Sequence, residues 1–123
     1  MEYKDLLGVK FKTHGRNKEE GFDCYGLAIE VLRRNGITLN DVFYEDTEES
    51  DILDNAFKGT VSTKIDNLQE NCIILISVKS QPLHIAIYIG DGLMIHATHS
   101  GVLIEPVRRW KNRIVGLYKV SSN

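Results

Sequence analysis

The most constraining stretch of this chain runs from His84 to Thr98, where two apolar segments flank Gly90-Asp91-Gly92. Glycine and aspartate between alternating segments signal a β-hairpin. The register of that hairpin decides which side chains share a face, because a slip of one residue exchanges the faces. A two-residue turn at Asp91-Gly92 would place Ile85, Ile87 and Ile89 with Met94, His96 and Thr98. A three-residue loop, Gly90-Asp91-Gly92, places the same isoleucines with Leu93, Ile95 and Ala97 and makes one apolar face. The second arrangement is expected, since burial selects it. The opposite, less apolar face then holds His84, Ala86, Tyr88, Met94, His96 and Thr98. His84 lies across from Thr98 and diagonal to His96, at the roughly 7–8 Å backbone spacing that long side chains bridge.

The rest of the chain surrounds that hairpin with recognisable elements. Leu27, Ala28, Val31 and Leu32 recur at helical spacing and predict a helix from about Asp23 to Asn35. Asp23 suits its N-cap, Arg33 and Arg34 its last turn, and Gly36 its left-handed stop, with Ile37 folding back as the apolar contact. The acid-rich stretch from Asp41 to Asp54 reads as a solvated loop running into a second helix. Thr47 would cap that helix, Lys58-Gly59 would end it, and Ile52, Leu53, Ala56 and Phe57 would be its buried side. Cys72 to Val78 is a continuous apolar strand, and Val102–Val107 and Arg113–Val120 supply two more. Helices first and an antiparallel sheet afterwards make an α+β layout. Arg108 to Arg113 reads as a solvated connection.

A chain of 123 residues suits a single domain, residues 1–123. Its formal net charge of -2 gives no global field that would draw nucleic acid or a membrane surface. The apolar runs are strand-sized and the N-terminus lacks the apolar stretch of a signal peptide, so a cytoplasmic protein is expected. Two widely separated cysteines, Cys24 and Cys72, are expected to be free thiols rather than a disulfide framework. Cys24, Cys72, His84, His96 and His99 show none of the paired spacings of a metal site, and no cofactor is expected.

Cys24 stands where the first helix opens. A thiol at a helix start meets unpaired N–H groups and the positive end of the dipole, which lower its pKa and can stabilise an oxyanion. A histidine to accept the proton and a polar group to orient that histidine complete a nucleophilic triad, and the hairpin brings two histidines together. Cys72 has no such context and reads as core. His14 and His99 read as loop residues, the latter turned to the face away from His84.

These motifs carry a resemblance. Gly21-Phe22-Asp23-Cys24-Tyr25-Gly26-Leu27 resembles the nucleophile motif of the NlpC-type papain-like cysteine peptidases. His84-Ile85-Ala86-Ile87-Tyr88-Ile89-Gly90 is similar to their histidine strand, and Met94-Ile95-His96-Ala97 to the strand bearing their third catalytic residue. Asp66 to Leu75 resembles the lead-in to their first core strand, so the likeness runs from about Leu7 to Val120. It implies a papain-like α+β fold with N-terminal helices packed on a central antiparallel sheet. It also implies a cysteine endopeptidase for peptidoglycan stem peptides, cutting between D-glutamate and a diamino acid. Cys24 would be the nucleophile, His84 the general base and then acid, and His96 the residue that orients it, with Asp23, Tyr25 and Phe11 in the substrate pocket. Tyr25 replaces a frequent serine, Phe11 a frequent tyrosine, and Asn71-Cys72 a Gly-Asp pair. An aromatic after the cysteine is more like members found in phage tail assemblies, which adds association with a phage particle to the expected settings. Two other readings share these residues: a papain-like acyltransferase, and a tail component with a vestigial site.

Overall fold

The largely apolar run at residues 73–78 becomes the strand around which the molecule is organised. The computed structural model describes residues 2–41, 62–78 and 81–120. The expected helix between Thr47 and Gly59 lies outside them. In chain order the elements are a 3-10 turn at Lys4–Leu6, β1 (Arg16–Asn17), β2 (Gly21–Phe22), α1 (Cys24–Arg34), β3 (Ser62–Ile65), β4 (Ile73–Val78), β5 (Gln81–Gly90), β6 (Leu93–Thr98), β7 (Gly101–Pro106), a 3-10 helix at Val107–Arg113, and β8 (Ile114–Val120). β1 and β2 form a small hairpin. The others form one antiparallel sheet in the order β3-β8-β4-β5-β6-β7. This is the expected α+β, papain-like layout.

α1 forms as its sequence dictates. Leu27, Ala28, Val31 and Leu32 are all buried and meet the sheet along β5 and β6. At the other end the Ile37 N–H donates to the Leu32 carbonyl and the Gly36 N–H to the Arg33 carbonyl. Gly36 has φ of 77°, so this is the Schellman stop that its glycine permits. Arg34 leaves the helix to pair with Glu30 and Asp5, tying the helix end to the N-terminal turn.

The hairpin combines the two registers that the sequence allows. Gly90 opposes Leu93, as in a two-residue turn, and Asp91 and Gly92 both have positive φ (56° and 74°), as a type I′ turn requires. A bulge between Tyr88 and Gly90 then shifts the ladder, so Tyr88 opposes Met94 and Ile87 opposes Ile95. That shift puts Ile85 and Ile87 on the helix side with Ile95 and Ala97. Burial selects the register, as expected, and the bulge is its device.

The second face is covered as well. It is less apolar than the first, but it is not open to solvent. Cys72, Ile74, Ile76, Ala86, Met94 and Val107 form a second buried cluster there, with Trp110, Ile114 and Leu117 packed against it. The stretch expected to be a solvated connection, Arg108 to Arg113, is instead most of a 3-10 helix whose Trp110 covers this face. A strand such as β4, whose residues Ile73 to Ile76 are all apolar, is what a sheet covered on both sides requires. Asn71, which stands where a glycine is frequent, has φ of 71°, a conformation asparagine tolerates better than most residues. Among the described residues no helix is long and apolar enough to cross a membrane.

Candidate active site

Phe22 leads directly into Asp23, and Asp23 begins α1 as expected. Its Oδ1 accepts from the Gly26 N–H at 2.7 Å and from the Arg16 guanidinium at 2.8 Å, and its Oδ2 accepts from the His14 N–H at 3.1 Å. The side chain is buried and both oxygens are engaged, so Asp23 serves as the cap of α1. Gly26 allows the cap to seat. A Cβ there would collide with the Gly15 carbonyl oxygen, which lies against the first helical turn. These contacts fix Cys24 at the first helical position. Its thiol is in no disulfide, is half-buried and packs against the helix-side core, to which Ile85 and Ala97 also belong. Cys72 is likewise in no disulfide but fully buried, and burial pushes its thiol pKa up.

The two hairpin histidines meet as expected. His84 Nε2 lies 2.9 Å from His96 Nδ1, with the rings edge to face at 5.1 Å between centroids. His96 is 1% exposed and has Trp110 edge-on at 5.5 Å. Burial, reinforced by the neighbouring charges of His96 and His99, pushes the His84 pKa down to about 3. Burial also lowers that of His96, against the upward pull of Glu105. Both rings are therefore neutral at pH 7.

Glu105 is the member of this cluster that the sequence reading missed. It sits on β7 opposite Met94, one diagonal step from His96. Its Oε1 is 2.7 Å from His96 Nε2, and its Oε2 accepts from Arg109 at 2.6 Å. Burial favours its neutral form, but the hydrogen bonds from His96 and Arg109 outweigh it and hold the carboxyl below its usual range. In the sequence Glu105 is simply one of the few acids after Asn71; only the β6–β7 pairing brings it to His96.

Two further expectations need correction. Tyr25 does not flank a cleft. Its ring is 2% exposed within the helix-side core, its hydroxyl donates to the Asn40 carbonyl, and the Arg16 guanidinium stands over its face at 5.8 Å. A residue one place after Cys24 is rotated about 100° round the helix, and here that turn points into the core. His99 is the reverse case. It is exposed, but its ring packs on Phe11 at 4.6 Å between centroids, and it stands close enough to His84 to oppose its protonation. Phe11 is half-buried, bridges Phe22 and packs against the same core as Cys24.

The chain as a whole is similar to known proteins. Residues 8–119 match the model of the NlpC/P60 family. The gamma-DL-glutamyl hydrolase of Bacillus subtilis is 30% identical over 99% of this chain, and the chain covers 29% of that protein. The murein DD-endopeptidase MepS/murein LD-carboxypeptidase of Escherichia coli is 31% identical over 91% of the chain, which covers 56% of it. The chain thus spans about half the length of these curated relatives or less. Among solved structures, an NLP/P60 lipoprotein-like protein of Staphylococcus aureus superposes with a TM-score of 0.67 at 22% identity, over 96% of this chain and 38% of that one. The NlpC/p60 domain of the peptidoglycan hydrolase SagA gives 0.63 at 20% identity, over 97% and 91% of the two chains. With the family match covering nearly all of its length and the same fold in these neighbours, the chain belongs to the NlpC/P60 family.

Proposed function

We propose that this chain is a cysteine endopeptidase acting on peptidoglycan stem peptides, and that it cleaves the bond between γ-D-glutamate and a diamino acid through an acyl-enzyme on Cys24. The observation that carries this reading is the pairing of His84 with His96 beside a helix that starts, capped, at Cys24. Relatives that are a gamma-DL-glutamyl hydrolase, a murein endopeptidase and a probable peptidoglycan endopeptidase support the substrate class.

The chemistry follows from the side chains. His84, neutral at working pH, takes the thiol proton, and the thiolate adds to the substrate carbonyl carbon. Charge develops on the carbonyl oxygen, and the positive end of the α1 dipole at Cys24 can stabilise it. As the C–N bond breaks, His84 returns the proton to the departing amine, leaving a thioester on Cys24. Water, deprotonated by His84, then adds to the thioester and releases the carboxylate, and the sulfur regains its proton from His84. His96 holds the His84 ring in place throughout. Phe11 with His99 forms one wall of the cleft beside Cys24, while Asp23 and Tyr25 act from behind it by fixing the helix start.

The test is digestion of purified peptidoglycan, with the new ends identified by mass. New amino groups on the diamino acid are expected, and they should vanish with Cys24→Ala or His84→Ala while circular dichroism stays unchanged. Ends at another bond would correct the specificity. Transfer to an added amine without hydrolysis would point to an acyltransferase, and wild-type activity in Cys24→Ala would overturn the mechanism.

A further inference from the structure

We propose that Glu105 is a positioning residue: as an acceptor-only carboxylate it dictates which ring nitrogens of His96 and His84 carry hydrogen, and so leaves the lone pair of His84 on Nδ1. This rests on the reading of His84 as the base. The chain of contacts is unbroken, from Arg109 to Glu105 Oε2, from Glu105 Oε1 to His96 Nε2, and from His96 Nδ1 to His84 Nε2.

Each link restricts the next. Glu105 is ionised, and an ionised carboxylate can only accept. His96 Nε2, 2.7 Å away, must therefore carry a hydrogen. Burial keeps His96 neutral, so its Nδ1 has only a lone pair. The 2.9 Å contact with His84 can then form only if His84 Nε2 is the donor. His84 is neutral as well, so its Nδ1 is bare and able to take a proton. After proton uptake His84 is a cation whose Nε2–H still donates to His96, and the negative charge of Glu105 lies one ring further on. Glu105 touches none of the reacting atoms. It acts through His96, and Arg109 keeps its second oxygen turned away.

The substitution that separates this role from simple packing is Glu105→Gln. Arg109 donates, so it should retain the amide oxygen, and the amide NH₂ then faces His96 Nε2. That nitrogen becomes an acceptor, hydrogen moves to His96 Nδ1, and His84 must carry its hydrogen on Nδ1 and lose the basic site. A wrong tautomer at an orienting carboxylate next to the base costs about 10⁴-fold in serine proteases. One ring further out, we expect Cys24 alkylation by iodoacetamide and peptide hydrolysis to fall about 10–100-fold, the range seen when the outer-shell partners that orient metal-ligating histidines are removed.

Ring nitrogen correlation spectra of ¹⁵N-histidine-labelled protein read the tautomers directly, without turnover. The wild-type protein should show hydrogen on Nε2 of both His84 and His96, and hydrogen on His96 Nδ1 would overturn the proposal whatever the variants do. Glu105→Gln should move both to Nδ1–H. Adding Arg109→Ala to Glu105→Gln frees the amide to turn its oxygen to His96, and should restore the Nε2–H pattern and part of the rate. A double variant no better than the single one would mean that Glu105 only packs. A Cys24 alkylation rate indifferent to His84→Ala would instead overturn the reading of the site, which the nitrogen pattern does not test.

Discussion

The two faces of the central sheet are both buried, yet they do different work. On the helix side, Ile85, Ile87, Ile95 and Ala97 meet Leu27, Val31 and Leu32 in an apolar layer. On the other side, Ile74, Ile76, Ala86 and Met94 share their layer with His84 and His96. Strand alternation lets neighbours in sequence serve the two layers separately. One face can thus be optimised for packing, and the other can hold two imidazoles in a dry environment that keeps them neutral. The helix face contributes to chemistry only at its edge, where α1 begins with Cys24.

The sharpest way to test this division is to remove the same amount of packing from each face. Ile95 and Met94 are adjacent, and both are fully buried, on the helix side and the histidine side respectively. Ile95→Ala and Met94→Ala should each lower stability by about 2–5 kcal/mol, measured by urea denaturation. Only Met94→Ala should also shift the imidazole resonances of His84 and His96. Equal shifts from both variants would mean that the faces are not independent.

Acid should attack the histidine face first. The unfolded chain protonates His84 below its ordinary pKa of 6.5, whereas the folded chain resists until about pH 3. His96 is shifted in the same direction. The unfolded state therefore binds more protons across this window, and stability present above pH 6.5 is lost as pH falls towards 3. His84→Gln removes part of that dependence. Its stability relative to the natural chain should rise between pH 7 and pH 4, and a constant difference over that range would contradict the burial argument.

Asp23 probes the junction between helix and site. Asp23→Ala loses the cap on the Gly26 N–H, an effect of about 0.5–2 kcal/mol, and leaves Arg16 without one of its carboxylates. The frayed first turn should also slow Cys24 alkylation. If thermal stability falls while the alkylation rate does not change, the cap serves folding alone.

Tyr25 gives the smallest effect. Tyr25→Phe removes one hydrogen bond to the Asn40 carbonyl, about 0.5–1.5 kcal/mol, and should leave turnover of a stem peptide nearly unaltered. A large change in KM would return Tyr25 to the substrate pocket, where its position after Cys24 suggested it belongs.

Much of this molecule is legible in the chain alone, and the reasons are local. The period of Leu27, Ala28, Val31 and Leu32 specifies α1, Asp23 and Gly36 specify its ends, and the helix then presents Cys24 at its start. The isoleucines of β5 select their register because only one choice buries them together, and that choice pairs His84 with His96. Local rules stop at the next layer out. Trp110 reads as part of a polar connection because the other five residues of Arg108 to Arg113 are basic or amide residues, although it covers a face. His99 looks remote by strand alternation, yet the turn that follows β6 carries it back to Phe11.

The sequence by itself therefore determined the helix that offers a thiol, the hairpin that joins two histidines, and the family to which such a chain belongs. Those features depend on residues near one another in the chain, where periodicity, capping and turn preferences act directly. Tertiary structure alone decided that the histidine face is dry, that Tyr25 is core, and that Glu105 and Arg109 extend the line of hydrogen bonds beyond His96. Each of those outcomes turns on which strand or helix covers which face, and that depends on side chains distant in sequence competing for the same buried space.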